Sequence, residues 1–280
     1  MLGQLEPNQP PWLLVADYIN PQFADWLRER GVMFLDVAGN AYLHHRGLRV
    51  WVTGKRDALR LQTERERRRA FQPSGLKVVF ALLSRSGLVA ADYRTLAQDA
   101  GVALGTVQWV IRDLVEEGYV LRLGRRRRRL IEPKALLDAW VPAYLRGLRP
   151  RLLLGRFEAP ELDWWTVIDP REYGALWGGE PAAAKLTDYL KPGTLTIYAD
   201  RIPARLVVER KLTLNDAGRV EFRKKFWHFE EEDMPDTVPP VLVYADLHAV
   251  GDARALEVAE RVFGREIDGL LRQHVAHRPS

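Results

Sequence analysis

Five consecutive arginines, Arg125 to Arg129, follow Gly124 and precede Leu130-Ile131, with Arg122 just ahead of them. Guanidinium groups at that density suit a polyanion. Each phosphate they neutralise steepens the salt dependence of binding by ~0.9 log unit per log unit of salt. Shortly before them runs LGTVQWVIRDLVEEG, in which Val107, Ile111 and Leu114 recur at helical spacing and define a buried stripe. The residues left outside are Gly105, Thr106, Gln108, Trp109 and Arg112, a short polar face near the helix N-terminus. Gln can bond adenine through two contacts, Arg can bond guanine, and Thr can meet a thymine methyl group. The helix dipole favours phosphate at the same end. Residues 105, 106, 108, 109, 112, 122 and 125–129 are therefore the candidate DNA-contacting set. The competing reading of the arginine run is a solvated charged loop.

The elements around these residues support the DNA reading. LKVVFALLSRSG supplies Val78, Val79, Ala81, Leu82 and Leu83 to a core and is closed by Gly87. DYRTLAQDAG reads as a second helix, with Asp92 as its N-cap, Leu96 and Ala97 facing inward, and Gly101 as its stop. A turn through Ala103 leads to the third helix. YVLRL, the Gly124 turn and RRRRRLIEP then make a hairpin with an arginine-loaded tip. Three helices followed by such a hairpin spell a winged helix-turn-helix from about Phe71 to Pro133, whose third helix enters the major groove of double-stranded DNA. A wing arginine can sit in a narrow minor groove. Ala103 stands where such helices usually carry a Ser or Thr cap, and Leu104 beside it is not a typical DNA-facing residue, so affinity leans on the wing.

Other chemistry is harder to assemble. Asp36 ends one strand, and Lys55 follows Thr53-Gly54 at the end of another, in the strand order of PD-(D/E)XK nucleases. Thr53 occupies the second carboxylate position, and one carboxylate holds catalytic Mg²⁺ poorly. An inactive nuclease-like domain is one reading, an unrelated α/β domain another, and a DNA-processing enzyme is the alternative function; Asp36 could equally cap the Gly39-Asn40 turn. Glu180 opens PAAAKLTDYL and suits a helix dipole, with Pro181 in the first turn. Asp246 and Arg254 suit a structural ion pair or a contact site. His44 and His45 are adjacent, so on a strand they face opposite sides and cannot share a metal. There is no GxSxG, P-loop or HExxH, and no Cys, which excludes disulfides and thiolate chemistry. No catalytic residue, cofactor or metal is expected.

The chain has 280 residues, enough for two or three domains, and 47% are apolar. Residues 1–150 carry 24 Lys and Arg against 15 Asp and Glu, whereas residues 151–280 carry 18 against 22. A basic front on an acidic back puts the polyanion-facing part in the first half. No apolar run reaches the ~20 residues of a membrane span, and MLGQLEPNQPPW lacks the pattern of a secretory signal, so a soluble, cytoplasmic protein is expected. The fold class is α+β: a small α/β domain over 1–58, a charged helical linker over 59–70, the winged helix over 71–149 and a mixed α/β domain over 150–280. In front, WLLVADYI is a strand, PQFADWLRERG a helix, and VMFLDV, AYLHH and RVWVTG three further strands. Residues 134–149 read as a helix broken near Pro142. Behind it, TLTIYAD, ARLVVERKL, VEFRKKFWHF and VLVYADLHAV read as strands. The run from Gly251 to Val275 reads as a helix with Leu256, Ala259, Val262 and Phe263 on one face.

The whole-chain pattern resembles the AbiEi-type antitoxin and regulator family of type IV toxin–antitoxin systems, in a three-part form. The residues carrying the resemblance are DVAGNAYL and VWVTGKR in front, the winged helix, and two C-terminal signatures. These are WGGEPAAAKLTDYLKPGTLTIYAD from Trp177 to Asp200 and PPVLVYADLHAVGDARALEVAERV from Pro239 to Val262. The resemblance implies a transcriptional repressor acting at its own promoter and counteracting a nucleotidyltransferase-type toxin without a tight complex; pairing of the chain with itself is expected from the palindromic sites that helix-turn-helix proteins bind.

Overall fold

A computed structural model describes residues 12–16, 19, 21–36, 39–45, 47–52, 68–123, 127–229 and 236–276. The chain divides into two compact units, Met1–Arg65 and Glu66–Ser280.

The first unit follows the expected order of strand, helix and three strands: β1 (Leu13–Ala16), α1 (Pro21–Glu29), β2 (Met33–Asp36), β3 (Ala41–His45) and β4 (Leu48–Val52). The sheet order is β1-β2-β3-β4; β1 and β2 are parallel and the other pairs antiparallel. Cross-strand register places Phe34 opposite Tyr42, and Tyr42 opposite Trp51. Phe34 and Tyr42 form the small core with Ile19, Ala24 and Leu27. Asp36 is buried and accepts from the Ile19 N–H at 2.8 Å, the Asn40 N–H at 2.8 Å and the Asn40 side-chain amide at 2.7 Å. Its carboxylate thus ties the β2–β3 turn to the segment entering α1.

The second unit is built around α2 (Pro73–Ser84), whose residues from Val78 to Leu83 are all buried. A helix apolar on every side belongs in the centre of a core. Helices α3 (Tyr93–Ala100) and α4 (Leu104–Glu116) pack against it, followed by the antiparallel hairpin β5 (Val120–Arg122) and β6 (Arg128–Leu130). Helix α5 (Pro133–Ala143) then leads through a π turn, Tyr144–Leu148, into a five-stranded sheet. Its strands are β7 (Leu153–Glu158), β8 (Ala175–Gly178), β9 (Leu195–Ala199), β10 (Thr213–Leu214) and β11 (Val220–Lys224), in the order β10-β7-β11-β9-β8. Only the β11–β9 pair is parallel. Helices α6 (Gly179–Thr187), α7 (Ala204–Glu209), α8 (Pro240–Val250), α9 (Ala253–Val262) and α10 (Asp268–Ala276) complete the unit. The core is continuous: Phe80 of α2 stacks on Trp140 with ring centroids 5.7 Å apart and meets Phe226, Trp227 and Phe229 beyond β11. The architecture is mixed α and β. Among the described residues no helix is long and apolar enough to cross a membrane.

Several sequence expectations are corrected. Residues 204–209 are helical rather than a strand, and only Leu206 of that turn is buried. VLVYADLHAV is the buried helix α8, not a strand; a short apolar run is equivocal between the two, and the deciding cues were Pro240 at the helix start and Gly251 in the left-handed region at its end. Pro142 does not break its helix, which runs to Ala143 and passes into the π turn. α2 ends at Ser84, before Gly87, whose positive φ instead opens a 3-10 turn at Leu88–Ala90. On α9 the inward face is Ala255, Val258, Ala259 and Val262, while Leu256 is exposed. Most of the expected linker helix lies outside the described residues, and Arg69–Phe71 is a 3-10 turn.

Candidate nucleic-acid interface

Helix α3 starts where the sequence places it. The Asp92 carboxylate accepts from the Arg94 N–H at 2.8 Å and the Thr95 N–H at 2.9 Å. The Thr95 and Arg94 amides hold its carboxyl below the usual carboxylate range. Gly101 ends the helix with φ 62° and ψ 44°, and its N–H reaches back to the Gln98 and Ala97 carbonyls. A side chain there would meet His228 Nε2 at 2.8 Å and the Phe226 carbonyl at 3.2 Å. The adjacent His228 N–H bonds the Asp99 carbonyl at 3.0 Å, so the turn between α3 and α4 is seated on the segment after β11.

Helix α4 buries Val107, Ile111 and Leu114 as expected, together with Val110 and Asp113. Asp113 accepts from the Ala70 N–H at 3.2 Å. On the outer side Gly105, Gln108, Trp109 and Arg112 are exposed and Thr106 is half-buried. The Trp109 ring carries two guanidinium groups, Arg112 at 4.0 Å and Arg69 at 4.2 Å from its centroid. Arg112 also lies 3.6 Å from Glu116, which Arg68 engages at 2.9 Å. No side chain caps the α4 N-terminus at Ala103. The Thr106 N–H turns back to the Ala103 carbonyl at 2.9 Å, and the Leu104 and Gly105 amides of the first turn are left to an incoming anion.

The hairpin arginines divide by task. Arg122 and Arg127 are exposed. Arg128 donates from Nε to the Val89 carbonyl at 2.9 Å and from Nη2 to the Ala91 carbonyl, and its guanidinium lies 4.3 Å from the Tyr93 ring centroid. It fastens the hairpin to the segment entering α3, so its head group is committed within the protein. Arg129 is half-buried and turned to the opposite face, opposite Leu121. Arg125 and Arg126 lie outside the described residues.

Of the alternative chemistry, only the Asp36 position lies among the described residues. The Asp36 carboxylate is occupied by two backbone N–H groups and an amide, while Thr53 and Lys55 lie outside the described residues. His44 and His45 are paired to Arg49 and Leu48 on opposite faces of β3. Among the described residues no group of three His, Asp or Glu is placed to hold a metal.

Glu180 and Asp246 of the C-terminal signatures are both engaged within the protein, and the expected Asp246–Arg254 pair is not formed. Glu180 accepts from the Gly193 N–H at 2.5 Å, the Thr194 N–H at 2.9 Å and Arg254 at 3.3 Å. It anchors the loop before β9 and the start of α9. Asp246 does not pair with Arg254; it is buried and accepts from Tyr144 at 3.2 Å, Tyr198 at 2.9 Å and Arg149 Nε at 2.9 Å. Burial and the Asp246 charge push both phenols well above their ordinary pKa. Beside it, buried Glu221 pairs with Arg223 at 2.7 Å, Arg156 at 2.5 Å and Arg149 at 3.4 Å. Burial works to raise the Glu221 pKa, but the Arg223 and Arg149 charges outweigh it and hold the carboxyl low. No local pattern in the sequence announced this cluster, because its members come from the two turns after α5, three strands and α8.

The family model described as transcriptional regulator, AbiEi antitoxin, type IV TA system matches residues 129–268. That span takes in both C-terminal signatures and the buried cluster. Searches of curated proteins and of solved structures found no match.

Proposed function

The chain belongs to the AbiEi antitoxin family of transcriptional regulators of type IV toxin–antitoxin systems, and from that premise we propose that residues 71–133 are a winged helix-turn-helix that reads double-stranded DNA. The observation that carries this reading is the outer face of α4: Gly105, Gln108, Trp109 and Arg112 are exposed on a helix whose other side is sunk in the core. Its N-terminal half offers Thr106 and Gln108 to base edges and its uncapped first amides to a phosphate, and Arg112, one turn beyond Gln108, reaches a guanine. The wing adds Arg122, Arg127 and, by sequence position, Arg125 and Arg126 along the backbone. Arg128 secures the wing and is not counted among the contacts. Residues 150–280 share the core of the reading module and orient it.

The biological role that follows is a cytoplasmic repressor, acting as a homodimer on a two-fold site, and the antitoxin of a nucleotidyltransferase-type toxin. The test uses a duplex enriched from a randomised library by the wild-type chain, compared with a scrambled duplex. Gln108→Ala and Arg112→Ala should each erode discrimination by about 1–3 kcal/mol, whereas Arg127→Ala should weaken both duplexes alike. Equal losses on the two duplexes for all three variants would defeat the base-reading assignment. Co-expression with a neighbouring nucleotidyltransferase tests the antitoxin role: loss of growth without this chain and recovery with it is the expected result.

A further inference from the structure

Arg69 was not among the residues that sequence reasoning placed at the interface. It sits outside the three helices, on the 3-10 turn Arg69–Phe71 that precedes α2. That turn is clamped to α4 and α2 at several points. The Ala70 N–H bonds buried Asp113 of α4 at 3.2 Å. Arg68 reaches Glu116 at 2.9 Å and Glu117 at 2.8 Å. Gly75 of α2 lets the Arg69 carbonyl approach so closely that a Cβ there would lie 1.9 Å from it. The backbone position of Arg69 is thereby fixed against the side of the reading helix.

The charges around this turn are distributed unequally. Arg68 is matched by two glutamates, and Arg112 has Glu116 at 3.6 Å. Arg69 is exposed, pairs with no carboxylate among the described residues, and rests on Trp109 alone, 4.2 Å from the ring centroid. An aromatic face holds a guanidinium in place without neutralising it or using up its N–H donors. A cation held in that way, beside a helix that enters a groove, faces the sugar-phosphate strand bordering that groove rather than the base edges within it.

We infer that Arg69 is a further phosphate-contacting residue of the DNA surface, held in position by the ring of Trp109. The inference rests on the winged-helix reading. Binding of the full-length chain to a fluorescein-labelled duplex of random sequence, measured by anisotropy over a salt series, tests it. Arg69→Ala should lower the slope of log affinity against log salt by about 0.9, the value for one phosphate contact, and Arg69→Lys should retain the slope. Trp109→Leu should weaken binding, Trp109→Phe should largely restore it, and adding Arg69→Ala to Trp109→Leu should cost less than it does in the wild-type chain. An unchanged slope in Arg69→Ala, with duplex binding intact, would overturn this assignment alone. Fully additive losses would remove Trp109 from it. A wild-type chain that binds no duplex would overturn the winged-helix reading together with the assignment.

Discussion

Replacing Gly101 by alanine perturbs the turn that sets α4 against α3, and the cost has two separable parts. Gly101 has φ 62°, in the left-handed region that an L side chain adopts at a cost of about 1–2 kcal/mol. The added methyl would also lie 2.8 Å from His228 Nε2, 3.0 Å from its Cδ2 and 3.2 Å from the Phe226 carbonyl. The His228 ring is exposed and can swing aside, while the Phe226 backbone is held by its own buried ring. Overpacking of this kind adds about 1 kcal/mol, near the low end of the usual range. The expected total is therefore about 2–3 kcal/mol. The assay is urea denaturation of the full-length chain followed by circular dichroism, on Gly101→Ala, His228→Ala and the pair. In the His228→Ala background the loss from Gly101→Ala should shrink by roughly 0.5–1 kcal/mol, leaving the conformational part and the approach to the Phe226 carbonyl. If Gly101→Ala is as stable as wild type, the left-handed turn does not matter. If its cost is the same with and without the imidazole, the approach to the His228 ring is not its source.

Two other expectations follow from the geometry. Arg128→Ala removes two charge-assisted bonds to backbone carbonyls, each worth about 1.5–3 kcal/mol net of the bonds to water it replaces, so hydrogen exchange at the Leu123 and Ile131 amides should accelerate. The salt slope for duplex binding should stay as in wild type, and a drop of about 0.9 would return Arg128 to the DNA-facing set. Glu221, held below its ordinary value of 4.5 by the surrounding arginines, contributes stability that is present above that pH and lost as pH falls through its folded value. Denaturation midpoints should therefore hold from about pH 7 to pH 5 and fall below about pH 4.5, less steeply in Glu221→Gln; equal slopes in the two proteins would refute the assignment.

The parts legible in the chain were those whose signals are local. Asp92 as a cap, Gly101 as a stop, the Val107, Ile111 and Leu114 stripe and the short apolar runs of β2, β3 and β4 with the Gly39-Asn40 turn between the first two all depend on residues a few positions apart. The resemblance in Trp177–Asp200 and Pro239–Val262 likewise needed only contiguous text, and the family match over residues 129–268 covers it. Residues 204–209 and 240–250 are helical because short apolar runs suit either element: the first is a mostly exposed turn anchored by Leu206, and the second a buried helix whose ends Pro240 and Gly251 mark.

The chain by itself determined that a polar, helix-borne surface and an arginine-rich hairpin would follow one another, since period and turn chemistry are properties of neighbouring residues. Tertiary structure alone decided which arginines are committed inward. Arg128 and Arg68 are claimed by carbonyls and carboxylates from elements remote in sequence, whereas Arg69 is left on an indole face. It also decided that Asp246 would meet Arg149 rather than Arg254. A charge's partner depends on which backbones the core brings within a few ångströms of it, and that distance is not written in residue spacing.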